Sequence, residues 1–242
     1  DLLPSDLIWA KVYNIEKKSF DINHWPIFSN FVLADEINRA PSKVQSALLE
    51  AMAEKQVTIW EESFKLSDPF VVLATQNPIE QDWTYSLPEA QLDRFLLKSI
   101  IGYPNKDEEI EIMKNNTEIS KTKLKKILNK KDISEIKNDV KNIHVSENIY
   151  EYVRDLIFYT RESADLKNYL AYWASPRASI ALIKASKAIA YLDWRDFVIP
   201  EDIKEMIYPV LRHRIILSYE AIADNITADI LIGKILKSVS IK

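Results

Sequence analysis

An α/β half built around a buried parallel sheet, followed by an all-α half, is the architecture this sequence predicts. Three observations predict it. The apolar runs "FVLA" at 31–34, "FVVLAT" at 70–75 and "FLLKSII" at 95–101 read as strands covered on both faces, as in a parallel sheet. Between the first two lies a segment with the spacing of an amphipathic helix. From Tyr103 onward the strand patterns stop and helical periodicity takes over, so the expected domains are 1–102 and 103–242.

Taken in order, "KVYNIEKKSFDI" has two short apolar arms around a polar turn and predicts a hairpin. After the first strand, Pro41 suits the first turn of a helix. Val44, Ala47, Leu48, Ala51 and Met52 recur at the spacing of that helix's buried face. "QVTIWEESFKL" alternates on both sides of a four-residue turn and predicts a second hairpin. In the second half, "DEEIEIMKN", "SENIYEYVRDLIFYT", "PRASIALIKASKAIAYL" and "PEDIKEMIYPVLRHRIIL" each predict a helix. Ser146 and Ser175 are the expected N-caps of two of them, and two carry Pro at the first helical position.

Composition narrows the function. At 47% hydrophobic and 28% charged residues the chain is an ordinary globular one. No apolar run approaches the length of a membrane span, and there is no signal peptide, so a cytoplasmic location is expected. Cysteine is absent, which excludes disulfides and thiolate metal sites. His24, His144 and His213 lack ligand spacing, which argues against zinc. The net charge of -4 gives no general reason to expect nucleic acid. The basic run "KTKLKKILNKK", 121–131, places its leucines and isoleucine at helical spacing, so its lysines read as the wet face of a helix.

The polar residues at the strand ends carry the chemistry. Asp35 and Glu36 follow directly on the first apolar run, and two carboxylates belong at a strand's mouth rather than inside a sheet. In open α/β sheets ligands bind at that C-terminal edge. Asn77 closes the second run, Arg94 precedes the third, and Arg177 opens a helix of the second half. If the strands are parallel neighbours, Asp35, Glu36 and Asn77 emerge together, a set suited to a Mg²⁺-bound triphosphate and its attacking water. Each residue also has a plain alternative: Asn77 as a loop cap, Arg94 paired with Asp93 or Glu89, Arg177 as an exposed first-turn residue.

"VLADEINRAPSKVQSALLEAM", "FVVLATQNPIEQDWTYSLPEAQLDRFLLKSIIGYP" and "ASPRAS" resemble the MoxR group of AAA+ ATPases, and more loosely the magnesium-chelatase-type ATPases. The resemblance runs from "DLLPSD" to about "VLRHRI". It implies an N-terminally truncated AAA+ P-loop NTPase-type sheet followed by an all-α lid. Residues 6–24 are then the family's insertion hairpin and 55–69 the hairpin before sensor 1. "FVLADE" resembles the Walker B strand, with Asp35 holding Mg²⁺ and Glu36 orienting and polarising the water. Asn77 resembles sensor 1, Arg94 the arginine finger that reaches a neighbouring subunit's ATP, and Arg177 sensor 2, acting in its own subunit or a neighbour's. A ring, expected to be a hexamer, that remodels client complexes beside a von Willebrand factor A-domain protein is the implied assembly.

Two departures stand out. No G-x-x-x-x-G-K-[ST] occurs in the chain, so the fragment alone is expected not to bind or hydrolyse ATP. The family's central strand is also lacking, which predicts a gap or makeshift pairing between 70–75 and 95–101. The chain has 2 Gly and 6 Trp, the reverse of ordinary usage. Trp9, Trp25, Trp60, Trp83, Trp173 and Trp194 stand where the family's pattern has glycine. Codons UGA read as glycine in the source would account for this; the alternative is a divergent chain with real tryptophans. Two other functions compete with the ATPase: a nucleotide-insensitive interaction module, and a nucleic-acid motor.

Overall fold

The computed structural model describes residues 11–14, 19–22, 26–59, 62–77, 87–117 and 125–241. Strands β1 (Lys11–Asn14) and β2 (Ser19–Ile22) pair antiparallel with Lys11 opposite Ile22, as the first predicted hairpin requires. Strand β3 (Phe31–Ala34) runs into a turn and a short 3₁₀ segment, Ile37–Arg39. Helix α1 (Ser42–Glu54) follows and buries Val44, Leu48, Leu49 and Ala51. Pro41 sits one position earlier than expected, outside the helix, where its carbonyl accepts from Val44 N and Gln45 N at 2.9 and 3.2 Å. Strands β4 (Gln56–Ile59) and β5 (Glu62–Lys65) form the second hairpin. Strand β6 (Val71–Ala74) then pairs parallel with β3, Phe31 opposite Val71 and Ala34 opposite Ala74.

Here the sheet departs from expectation in two ways. Val32 is buried against α1, but Phe31 is 63% exposed, Leu33 67% and Leu73 56%. One face has a covering layer and the other, among the described residues, has none. The third apolar run, 95–101, forms no strand. Its backbone groups are taken by the helical half instead: Lys98 N donates to Pro209 O at 2.7 Å, and the Phe95 and Leu96 carbonyls accept from Arg214. With those groups engaged and, among the described residues, no strand beside β6 on that side, the run joins no ladder.

After the short helix α2 (Glu89–Leu92), α3 (Lys106–Thr117) has Ile110, Ile112 and Met113 exposed. Helix α4 (Lys130–Asn142) begins with a capping box between Asn129 and Asp132. Residues 125–129 are not helical, so the expected helix over 121–131 starts only at Lys130, and 121–124 lie outside the described residues. Helices α5 (Glu147–Glu162), α6 (Pro176–Leu192) and α7 (Pro200–Leu211) then build a closed core. Strands β7 (Leu170–Tyr172) and β8 (Ile216–Leu217) and helices α8 (Tyr219–Ala223) and α9 (Ala228–Ser238) complete it. Leu156, Leu182, Ile203, Ile207, Leu231 and Ile235 are fully buried. Each such side chain stabilises the fold by about 1.5–3 kcal/mol relative to exposure.

The predicted caps hold in part. Ser175 accepts from Arg177 N at 3.1 Å with Pro176 leading α6, and Pro200 leads α7. Ser146 takes the N-cap position of α5, but its hydroxyl makes no capping bond. Helix α6 ends in a Schellman pattern: Arg195 N donates to Ala190 O and Trp194 N to Tyr191 O, with Trp194 left-handed at φ 58°. Asn225 occupies the same position after α8, at φ 56°, with Ile226 N bonded to Ala221 O. Asparagine tolerates that conformation; a tryptophan there is strained by roughly 1–2 kcal/mol.

Candidate functional site

Asp35 and Glu36 stand where β3 leaves the sheet, side by side with the end of β6. The two strand ends are tied by backbone bonds from Thr75 N to Ala34 O and from Ile37 N to Thr75 O, both 3.0 Å. The Thr75 hydroxyl closes the arrangement. It donates to Asp35 Oδ1 at 2.5 Å and accepts from Glu36 N at 2.8 Å. One hydroxyl therefore fixes the side chain of the first acid and the backbone of the second.

Glu36 is left-handed at φ 47°, a conformation a non-glycine residue holds only under constraint. Its carboxylate meets Arg39 Nε at 3.1 Å, both groups well exposed. A pair of that kind contributes about 0–1 kcal/mol, so Glu36 can be released to another partner. Asn77 follows β6, and its carbonyl accepts from Asn38 Nδ2 at 3.4 Å. Asn38 is itself buried beside the acids and its Oδ1 has no partner. The structure thus brings Asp35, Glu36 and the Asn77 segment to one sheet edge.

Arg94 and Arg177 lie elsewhere. Both line a cleft of about 240 Å³ between the end of α1, the 93–96 segment and α6, together with Met52, Asp93, Lys184 and Arg214. None of Asp35, Glu36 and Asn77 lines it. Arg94, Arg177 and Lys184 line it beside the buried Arg214–Asp93 pair, a net positive lining that favours an anionic visitor. Arg94 also borders a second cleft of about 540 Å³ with Glu50, Glu54 and Gln91. Among the described residues no ion pair or hydrogen bond holds the Arg94 guanidinium. Asp93, the partner considered for it, is engaged instead by Arg214 at 2.9 Å, Ser175 at 2.8 Å and, loosely, Arg177 at 3.9 Å.

Beneath Arg94, His213 Nε2 lies 3.0 Å from Phe95 O and its Nδ1 is buried without a partner. Burial, then the neighbouring Arg214 charge, push its pKa down to about 4, so the ring is neutral at pH 7. Burial also lowers the Arg214 pKa, opposed by the Asp93 carboxylate, and the guanidinium stays charged.

Comparison with known proteins joins these features. Residues 1–97 match the family described as "ATPase family associated with various cellular activities", and residues 163–235 match "AAA lid domain". Chaperone MoxR1 of Mycobacterium tuberculosis is 44% identical across the whole of this chain, which spans 65% of MoxR1. The uncharacterized protein YeaC of Bacillus subtilis is 41% identical, with all of this chain matching 74% of YeaC. The chain belongs to the MoxR branch of the AAA+ ATPases. A solved candidate ATPase from Cytophaga hutchinsonii shares 48% of its residues and superposes with a TM-score of 0.93 over the whole chain and 75% of its own. The AAA+ fold, a parallel sheet with helices and a helical lid, is therefore the fold of this chain.

The two carboxylates at this strand end fit a magnesium nucleotide. Asp35 and Glu36 offer carboxylate oxygens at an exposed strand end, hard ligands of the kind Mg²⁺ takes. Mg²⁺ is held by one or two carboxylates and fills its remaining positions with waters and phosphates. Two residues that sequence reasoning missed are Thr75 and Arg214. The first is a lone threonine with no periodic signal. The second did leave one: charges flanking a histidine in the apolar stretch "VLRHRIIL".

Proposed function

We propose that the intact protein hydrolyses ATP in a ring, built as a hexamer, and uses turnover to remodel or mature client complexes. The observation that carries this reading is the Thr75 bridge, which fixes both acids at the mouth of a parallel strand pair. Asp35 is the residue for Mg²⁺, which when bound neutralises phosphate charge. Glu36 orients and polarises the attacking water, and Asn77 meets the γ-phosphate or that water. In a loose phosphoryl-transfer transition state such positioning matters more than basicity. Arg94 and Arg177 share a cation-rich cleft that the acids do not line, which supports both acting on a neighbouring subunit's nucleotide. Glu36 to water and Arg94 to phosphate then come from different chains.

The supporting division is a sheet domain at 1–102 and a lid at 103–242, in line with two separate apolar clusters, Ile27 to Leu87 and Ile143 to Ile235. Residues 1–242 alone carry no phosphate loop and are inactive by this reading. A von Willebrand factor A-domain partner and a cytoplasmic location complete the proposal; among the described residues no helix is long and apolar enough to cross a membrane. Neither the interaction module nor the nucleic-acid motor is favoured by the comparisons.

The tryptophans are part of the same proposal: their codons are UGA, read as glycine at the source. Trp194, left-handed and 96% exposed, supports this. Trp173 is not at positive φ, and Trp9, Trp25, Trp60 and Trp83 lie outside the described residues. Reading the six codons decides it.

Arg94→Ala in the intact protein tests the mechanism. Turnover is expected to vanish while ATP binding persists, and retained turnover refutes the assignment.

A further inference from the structure

We propose that Arg214 and Asp93 are positioning residues for Arg94, coupling the lid's seat to the finger's reach. This rests on the reading of Arg94 as a residue that acts on a neighbour's nucleotide. Arg214 follows α7 and its side chain is 2% exposed. It donates to Asp93 Oδ1 at 2.9 Å, Asp93 O at 3.3 Å, Phe95 O at 2.5 Å and Leu96 O at 3.1 Å. A further bond to Val210 O, 2.6 Å, anchors the guanidinium on the end of α7. From the lid side Ser175 donates to Asp93 Oδ2, and Pro209 O receives Lys98 N.

Residues 93, 95, 96 and 98 are therefore all held by lid groups, and residue 94 between them is not. A braced backbone with one loose side chain is the form expected of a residue whose partner is another molecule. Stability alone accounts poorly for the pair. A buried ion pair seldom outperforms apolar residues of equal volume, whereas it does fix geometry. The guanidinium here bonds Asp93, Phe95 and Leu96 within one four-residue segment, so any shift of α7 moves Arg94 with it.

The experiment uses the intact protein with Asp93→Asn, Arg214→Lys and the milder Ser175→Ala, each assayed for ATP turnover alone and mixed with subunits carrying a second lesion. Turnover of Asp93→Asn and Arg214→Lys is expected to fall roughly 10- to 100-fold, with the KM for ATP within about twofold. Ser175→Ala, which removes the bond to Asp93 and the capping bond from Arg177 N but leaves every Arg214 bond in place, falls less. Mixing with Glu36→Gln subunits restores activity, because those subunits supply an intact Arg94 to a neighbour with intact acids. Mixing with Arg94→Ala restores nothing, because both partners lack a competent finger. A merely structural staple does not sort variants into that complementation group. Unchanged kcat in Arg214→Lys and Ser175→Ala overturns the proposal, as does rescue by Arg94→Ala without rescue by Glu36→Gln. Full turnover by Arg94→Ala alone is a different failure: it removes the finger reading and leaves the lid contacts without that role.

Discussion

Leu182 and Leu33 are the same residue in opposite circumstances. Leu182, on α6, is fully enclosed by the helical core; Leu33, on β3, is 67% exposed on a sheet face that no described layer covers. The lid closes on itself, with α5, α6, α7 and α9 supplying its buried residues. The sheet half buries a smaller set beneath α1 and leaves Phe31, Leu33 and Leu73 open. Stability therefore resides mainly in the lid, while the candidate chemistry sits on the less enclosed half. The chain also spans only 65% of MoxR1, so the relatives have further sequence beyond what aligns here.

The sharpest way to break this contrast is a pair of truncations. Leu182→Ala is expected to lower stability by about 2–5 kcal/mol, since it removes buried methyl groups and leaves a cavity. Leu33→Ala, where little surface is buried, is expected within about 0.5 kcal/mol of the parent. Comparable urea midpoint shifts for the two would mean that β3 is covered in solution.

Acid probes the seam between the halves. Unfolded His213 titrates near 6.5 and folded His213 near 4, so the folded state binds fewer protons between those values. Its contribution is complete above pH 6.5 and is lost as pH falls toward 4, for a total of ~3 kcal/mol. The charges near the ring are Arg214 and Lys98, which hold its pKa down, and Asp93, which lifts it. His213→Gln is expected to flatten that limb of the stability profile, measured by urea unfolding from pH 7.5 to 4.

Thr75→Val is a smaller change in energy and a larger one in function. It leaves Glu36 N without its acceptor and Asp35 without its donor, for about 1 kcal/mol of stability. Turnover of the intact protein is expected to drop roughly tenfold or more as the acids lose register. Trp194→Gly has the smallest expected effect and the opposite sign. Relief of a left-handed tryptophan raises the thermal midpoint by an amount equivalent to about 1 kcal/mol. Trp173→Gly, where no positive φ is relieved, is expected to give no such gain.

The acid edge was legible because an apolar run cannot absorb two carboxylates, so its strand had to end at Ala34. The lid helices were legible from period and caps. The run at 95–101 was misread because apolar content reports burial and says nothing of what the backbone bonds to. Here a single arginine more than a hundred residues away takes two of its carbonyls. Thr75 was invisible for the same reason, its partner being 40 residues distant. Exposure of Phe31 and Leu33 also lay beyond pattern, since a hydrophobic side chain does not state which layer will cover it.

That 40-residue span has a kinetic consequence. The β3–β6 ladder and the Thr75 bond can form only after α1 and the β4–β5 hairpin have closed a long loop between them. The length-dependent part of that closure costs about 3 kcal/mol before any contact compensates. Helices α5 to α7 meet through nearer neighbours, a topology that folds faster. The amides of Thr75 and Ile37 should accordingly be among the last to gain protection in pulse-labelled hydrogen exchange during refolding, after those of α6. The corner that orders the two acids is then also the last part of the molecule to be finished.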